Sequence, residues 1–243
     1  MTQSVIAKAK RVDITVFCGG AAQDVLENLK PEFEVQSAHR VTQLFEHVHV
    51  VEKWLSEGRQ ADLVLLPRPL MDRVKGSIGW LPKSRRILGC VGIGAIVPVG
   101  SATPDISTID TFRDVLLSAP SIAVPKADGI TGSHLMQVMS RLGVEDQVRS
   151  KLIHKGAIYG AGSLVANGEA AIGLYLASEI RDVPGTKLVG LLPNSLQNYV
   201  VYEIGIPSSN SAPNAAKAYS NFLMHPANAY AWSDAGFQGS VQR

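Results

Sequence analysis

Cysteine is scarce in this chain, with only Cys18 and Cys90 among 243 residues. There is no CxxC pair, which argues against a structural zinc site built on thiolates. Two lone thiols read as reduced and buried, although spacing alone leaves a disulfide open. Aromatic residues make up 6% of the chain and form no platform on which bases would stack. Neither sign of charge dominates: 23 Lys and Arg face 21 Asp and Glu, for a net charge of +2. That balance gives no electrostatic footprint for nucleic acid. No run reaches the ~18 apolar residues of a membrane span. The segment from Met1 to Arg11 is short and polar. It lacks the apolar stretch of ~7–15 residues that marks a secretory leader, so the expectation is a cytoplasmic protein, or a periplasmic one if a leader has been removed. The dinucleotide fingerprint GxGxxG, the Walker lysine and the GxSxG elbow are all missing, and no cofactor or metal is expected.

What the chain does have is three Gly-containing turns that enter helical patterns. They are Cys18-Gly19-Gly20-Ala21-Ala22-Gln23, Gly129-Ile130-Thr131-Gly132-Ser133-His134 and Tyr159-Gly160-Ala161-Gly162-Ser163-Leu164. A helix N-terminus carries unpaired N–H groups and the positive end of the dipole, so such a turn suits an anion. Three of them in one α/β chain suggest a cleft that closes on a small anionic molecule.

The hydrophobic fraction of 46% and the length allow one large or two modest domains. Val12 to Phe17 reads as a buried strand and Ala22 to Leu29 as a helix. Phe33 to Ser37 reads as a second strand. Val41, Leu44, Phe45, Val48 and Leu55 mark a long helix, and Ala61 to Leu66 a third strand. This alternation predicts βαβ units and a mostly parallel sheet. The apolar run from Ile87 to Val99 reads as a passage between two lobes, and Tyr199 to Ile206 as the return. Ser107-Thr108-Ile109-Asp110 caps a helix, and further strands are expected at Ser121 to Val124, Ala170 to Leu176 and Lys187 to Leu192. Helices over Asn214 to Leu223 and Pro226 to Ala235 close the chain. The predicted first lobe is discontinuous, residues 1–95 plus 205–243, with residues 96–204 as the second. Ligands in open α/β sheets sit at strand C-terminal ends, in the crevice.

Several segments share an order and spacing with a known family. They are Val16-Phe17 before its turn, Ala61-Asp62-Leu63, Ser121-Ile122-Ala123-Val124-Pro125 and Asn167-Gly168-Glu169-Ala170-Ala171-Ile172-Gly173. Asn221-Phe222-Leu223, His225-Pro226 and Ala235-Gly236-Phe237 complete the set. Nearly all of the chain after Arg11 resembles the type II periplasmic binding protein fold, most closely the molybdate-binding group of solute receptors. The resemblance implies two α/β lobes joined by two crossing strands that act as a hinge. It places ligand contacts at Ala21, near His39 and Arg40, and near Thr131, Ile158 and Leu176, with Tyr175 adjacent. Hydroxyls of the molybdate group are missing at Ala21 and at His39-Arg40, and a cation is gained. That exchange favours a small di- or tricarboxylate, which arginine grips with its planar fork.

The same group includes aconitate-isomerase-like members. The resemblance therefore implies an isomerase that moves a proton along an allylic system, with acid/base groups near the substrate carbon. The candidate acid/base groups are His39, His134, Lys126 and Tyr159. The candidate binding residues are Gly19, Gly20, Ala21, Arg40, Arg68, Thr131, Gly132, Ser133, Ile158, Gly160 and Tyr175. Two alternatives stay open: a non-enzymatic receptor serving an ABC transporter, for molybdate or a small carboxylate, and a ligand-sensing module. His47 and His49, two residues apart on an expected helix, do not share a face and make a poor metal pair.

Overall fold

The computed structural model describes residues 11–155 and 160–239. The chain begins with β1 (Asp13–Gly19), a short 3-10 turn and α1 (Gln23–Ser37). It continues through β2 (Arg40–Glu46), α2 (Val48–Ser56), β3 (Leu63–Pro67), α3 (Arg68–Arg73), α4 (Lys75–Ile78), β4 (Arg86–Val91) and β5 (Ile93–Pro98). Next come α5 (Ile109–Ser118), β6 (Ile122–Val124), α6 (Ile130–Arg141), α7 (Glu145–Val148), β7 (Leu152–His154), α8 (Gly160–Ala166), β8 (Ile172–Leu176), α9 (Ala177–Ile180) and β9 (Thr186–Leu191). The chain then returns through β10 (Val200–Gly205), α10 (Pro213–Leu223), α11 (Ala229–Asp234) and β11 (Phe237–Gln238).

Two sheets result, and each forms the centre of one lobe. The first has the order β11-β4-β10-β3-β1-β2 and the second β7-β6-β8-β5-β9. In the parallel part of the first sheet, β1 and β3 are buried on both faces, and β2 at the edge is half-buried. Ile14, Val16 and Cys18 pack with Val25, Leu26 and Leu29 of α1. Phe17 faces the other way, into a cluster with Val51 and Leu55 of α2.

Three expectations are corrected. Phe33 to Ser37 is the last part of α1, because Phe33 continues the buried stripe of Val25, Leu26 and Leu29. Pro31 lies inside this helix and reads in sequence as a break. The long helix expected from Val41 to Leu55 is a strand followed by a helix. β2 pairs parallel with β1 from Asp13–Arg40 to Gly19–Glu46, and α2 starts only after His47, whose ring caps it. Apolar spacing over Val41, Leu44 and Phe45 fits either period. The sheets are also mixed and not mostly parallel. β10 runs antiparallel to β3 and β4, and β5 antiparallel to β8 and β9, because strands that cross between lobes enter a sheet against its direction.

The long apolar run Ile87 to Val99 divides at Gly92, the single residue between β4 in one sheet and β5 in the other. A Cβ at Gly92 would sit 3.0 Å from the Tyr199 ring and 3.2 Å from the Gln197 amide. Gln197 belongs to the return passage between β9 and β10. Its Oε1 accepts from the Ile93 N–H at 2.7 Å, and its Nε2 donates to the Ile93 carbonyl at 2.9 Å. The two passages between lobes are thus tied to each other. Cys18 and Cys90 are both free thiols and buried.

Candidate functional site

The C-terminal ends of five parallel strands converge on one cleft between the sheets. Gly20 follows β1, His47 follows β2 and Pro67 ends β3. Pro125, Gly129, Ile130 and Thr131 follow β6, while Leu176 ends β8 and Glu179 lies in the turn after it. Val200 and Tyr202 of β10 close the wall. The enclosed space is about 40 Å³, on the scale of a few waters.

Helix starts supply most of the polar groups. Gly129, the N-cap of the 12-residue α6, has extended backbone and no side chain to satisfy the amides that follow. Gly19, before the turn into α1, is likewise without a cap. α5, outside the cleft, instead carries a capping box made by Thr108 and Thr111. Free amides on a cleft wall are donors for an anion, and the dipoles of α2 and α6 add to them. Close packing fixes these turns. A Cβ at Gly132 would fall 2.0 Å from the Lys126 carbonyl oxygen, and one at Gly19 would fall 2.6 Å from a Val48 methyl.

Three ionisable side chains line the cleft: His47, Glu179 and Tyr202. Among the described residues Glu179 has no hydrogen-bond or ion-pair partner, and burial pushes its carboxyl from an ordinary 4.5 up to about 7. Tyr202 is raised well above the ordinary tyrosine value, first by burial and then by Glu179 and Cys18. His47 is lowered, mainly by burial and next by His49. Its Nδ1 accepts from the His49 N–H at 3.4 Å. The neutral ring therefore carries its proton on Nε2, the atom 3.9 Å from the position of a Gly129 Cβ. His47 belongs to the first sheet's side and Gly129 to the second's, so this nitrogen faces across the cleft.

The residues expected from sequence divide into three groups. Gly20 and Thr131 line the cleft, and Gly19 and Gly132 pack behind its turns. Ile158 and Tyr159 lie outside the described residues, and Gly160 opens α8. The remainder stand elsewhere. His39 and Arg40 are at the start of β2, roughly 20 Å along the strand from its cleft end, because the strand begins where the sequence reading ended one. His39 packs on Phe33, with ring centroids 6.3 Å apart, and Arg40 is exposed. Arg68 follows β3, but its Nε donates to Glu203 Oε1 at 2.6 Å, and Arg85 takes the second oxygen. His134 Nε2 meets the Leu196 carbonyl at 2.8 Å. The Tyr175 hydroxyl donates to the Lys155 carbonyl at 3.1 Å, and its ring is buried. Ala21 is buried in the core and Ser133 is exposed, whereas Lys126, though exposed, lies near enough to the cleft to act on the charge of His47. Cys18 is sealed in, and burial raises its thiol far above the reactive range.

In sequence His47 reads only as half of a poor metal pair, and Glu179 is not among the expected site residues. His47 was hidden by the helix expected across it. Glu179 carries one legible signal, as an acidic residue in the first turn after the wholly buried strand β8. Among the described residues no cluster of three His, Cys, Asp or Glu is suited to a metal ion, and no helix is long and apolar enough to cross a membrane.

Comparison with known proteins adds to this geometry. The model of a family described as bacterial extracellular solute-binding protein matches residues 14–238. Aconitate isomerase from Pseudomonas sp. is 27% identical over 232 residues, which is 93% of this chain and 87% of that protein. The molybdate-binding protein ModA of Haemophilus influenzae is 23% identical over 210 residues, 84% of this chain and 80% of that protein. Among solved structures, the periplasmic molybdate-binding protein of Azotobacter vinelandii superposes with a TM-score of 0.77 at 18% identity. That match covers 93% of this chain and 98% of the other. The likeness shows a two-lobed type II periplasmic-binding-protein fold.

Proposed function

This chain belongs to the bacterial extracellular solute-binding protein family, and on that premise we propose that its cleft binds a small unsaturated di- or tricarboxylate and moves a proton along its allylic system. The observation that carries this reading is Glu179, an unpaired carboxyl with a pKa of about 7 inside a cleft otherwise built to hold an anion. A receptor gains nothing from a second negative charge beside its ligand. A proton-transfer enzyme needs a base whose pKa lies near the working pH.

The residues divide the work as follows. Amides of the turn after β1 and at the start of α6, with the Thr131 hydroxyl, hold the carboxylates. Glu179, as carboxylate, removes a proton from the methylene carbon next to the double bond. The electron pair of that C–H bond delocalises through the alkene into a carboxylate. His47 donates its Nε2–H to the oxygen where charge gathers, and a neutral imidazole does this without giving up its proton. The protonated Glu179 then returns the proton to the far carbon of the allylic system, which shifts the double bond and regenerates the base. The kinship with aconitate isomerase, at 27% identity, supports this choice of substrate class.

Proton NMR in D₂O with cis- and trans-aconitate tests the reading. Isomer conversion with deuterium entering the allylic positions is the expected result. Broadened ligand lines without exchange would instead support the second reading, a non-enzymatic receptor for an ABC transporter. That reading has its own support: an enclosed space of about 40 Å³ suits a compact oxyanion, and the kinship with ModA points the same way. A polycarboxylate enters such a cleft only when the lobes part.

A further inference from the structure

Behind His47 lies a chain of side chains that the proton transfer above does not use. Arg73 of α3 grips Glu52 of α2 with both arms of its guanidinium, Nε to Oε1 at 2.5 Å and a terminal nitrogen to Oε2 at 3.0 Å. Glu52 Oε2 also lies 3.1 Å from His49 Nδ1. The hydrogen bond from Arg73, foremost, holds the Glu52 carboxyl below its ordinary value. An ionised carboxylate only accepts, so His49 Nδ1 is the donor in this contact. The His49 ring sits 5.4 Å from the His47 ring, with their planes 35° apart, and its backbone N–H is the donor to His47 Nδ1. Each link fixes the next, from the outer face of α3 to the cleft. An ion pair with Arg73 about half exposed, at 52%, adds little stability. Two bonds in a bidentate pair do constrain direction.

We propose that His49, Glu52 and Arg73 are positioning residues that hold the His47 ring in the one orientation in which its Nδ1 meets the His49 backbone N–H and its Nε2–H faces the ligand. The proposal rests on the reading of His47 as the cleft's donor, but the orientation itself is measurable without turnover. The charged and titratable groups facing His47 are His49 on its own helix, Glu46 at the end of β2, and Asp128 and Lys126 in the turn before α6. Glu179 lines the same space from α9. Glu46 and Asp128 oppose Lys126 and His49, which leaves burial to keep the ring neutral.

The test is nitrogen-15 NMR of the histidine rings in the ligand-free protein, its His49→Phe variant and its Glu52→Ala variant. In the parent, His47 should show a bare Nδ1 and a protonated Nε2. Each variant should mix the tautomers, and His49→Phe should also raise the His47 titration midpoint, because the His49 charge helps to lower it. Where aconitate is turned over, kcat should fall roughly tenfold or more with KM little changed. A proton on Nδ1 in the parent would overturn the proposal. So would unchanged His47 signals in both variants with only a lower Tm, since the chain would then merely staple α2 to α3. Mixed tautomers in the variants alone, with a parent that turns over no aconitate, would uphold the positioning and sink only the isomerase reading.

Discussion

At the residue scale, the cleft depends on a carboxyl kept without a partner. Burial disfavours charge on Glu179, so the folded protein binds its proton more tightly than the unfolded chain does. The sign follows directly. Ionising Glu179 weakens the fold as pH rises from about 4.5 through about 7, the interval between its ordinary and folded values. Glu179→Gln should therefore match the parent in stability at pH 4 and exceed it at pH 8 by about 1–3 kcal/mol. Urea titrations at the two pH values check this, and equal differences at both would mean the side chain is solvated. The same variant should lower deuterium exchange into aconitate by at least ~100-fold, the lower range for losing a general base. In the parent, kcat/KM should rise as pH passes upward through about 7, because only the carboxylate removes a proton. Among the described residues no arginine lines this site. Arg68, expected from its place after β3, is held by the buried Glu203, which also takes Arg85, and that capture is invisible in the sequence around Arg68.

At the scale of elements, the strand-to-helix turns are set by glycine where backbone passes close to backbone. Gly132 in the first turn of α6 leaves no room for a methyl group, since the obstacle 2.0 Å away is the Lys126 carbonyl, with Lys126 C at 2.7 Å. Gly132→Ala should lower stability by roughly 1–3 kcal/mol and shift the Gly129–Thr131 turn out of the cleft. Thermal unfolding followed by circular dichroism measures the first effect, and loss of ligand line-broadening the second. Normal binding at unchanged Tm would mean that the turn can yield. This turn was legible from Gly129 through His134 because small residues enter a regular helical stripe. β2 was not, because Val41, Leu44 and Phe45 satisfy a helical period as well as a half-buried strand at a sheet edge. Its place is decided by pairing with β1 from Arg40 to Glu46, a long-range event. That one error carried His39 and Arg40 to the wrong end of the sheet and concealed His47.

At the scale of the whole molecule, two sheets exchange the chain twice, and Gln197 joins the exchanges. Its amide pairs with both the N–H and the carbonyl of Ile93, the first residue of β5. Removing it leaves the Ile93 N–H without its partner at the point where the lobes would turn, while the Ile93 carbonyl keeps the Leu192 N–H. Gln197→Ala should cost about 1–3 kcal/mol and favour the parted arrangement. Small-angle scattering of the ligand-free protein should then give a larger radius of gyration than the parent, while an identical radius would show that Gln197 does not restrain the lobes. The two-lobed α/β fold, the helical stripes and the turns that offer amides to an anion are readable in the linear chain. They depend on local spacing and on small residues, which a chain displays openly. Which charges remain free in the cleft is set by folding. A carboxyl is a base near neutral pH because of what surrounds it, and an arginine is withdrawn from ligand by a glutamate far away in the chain. Both depend on burial and on partners that folding alone brings together.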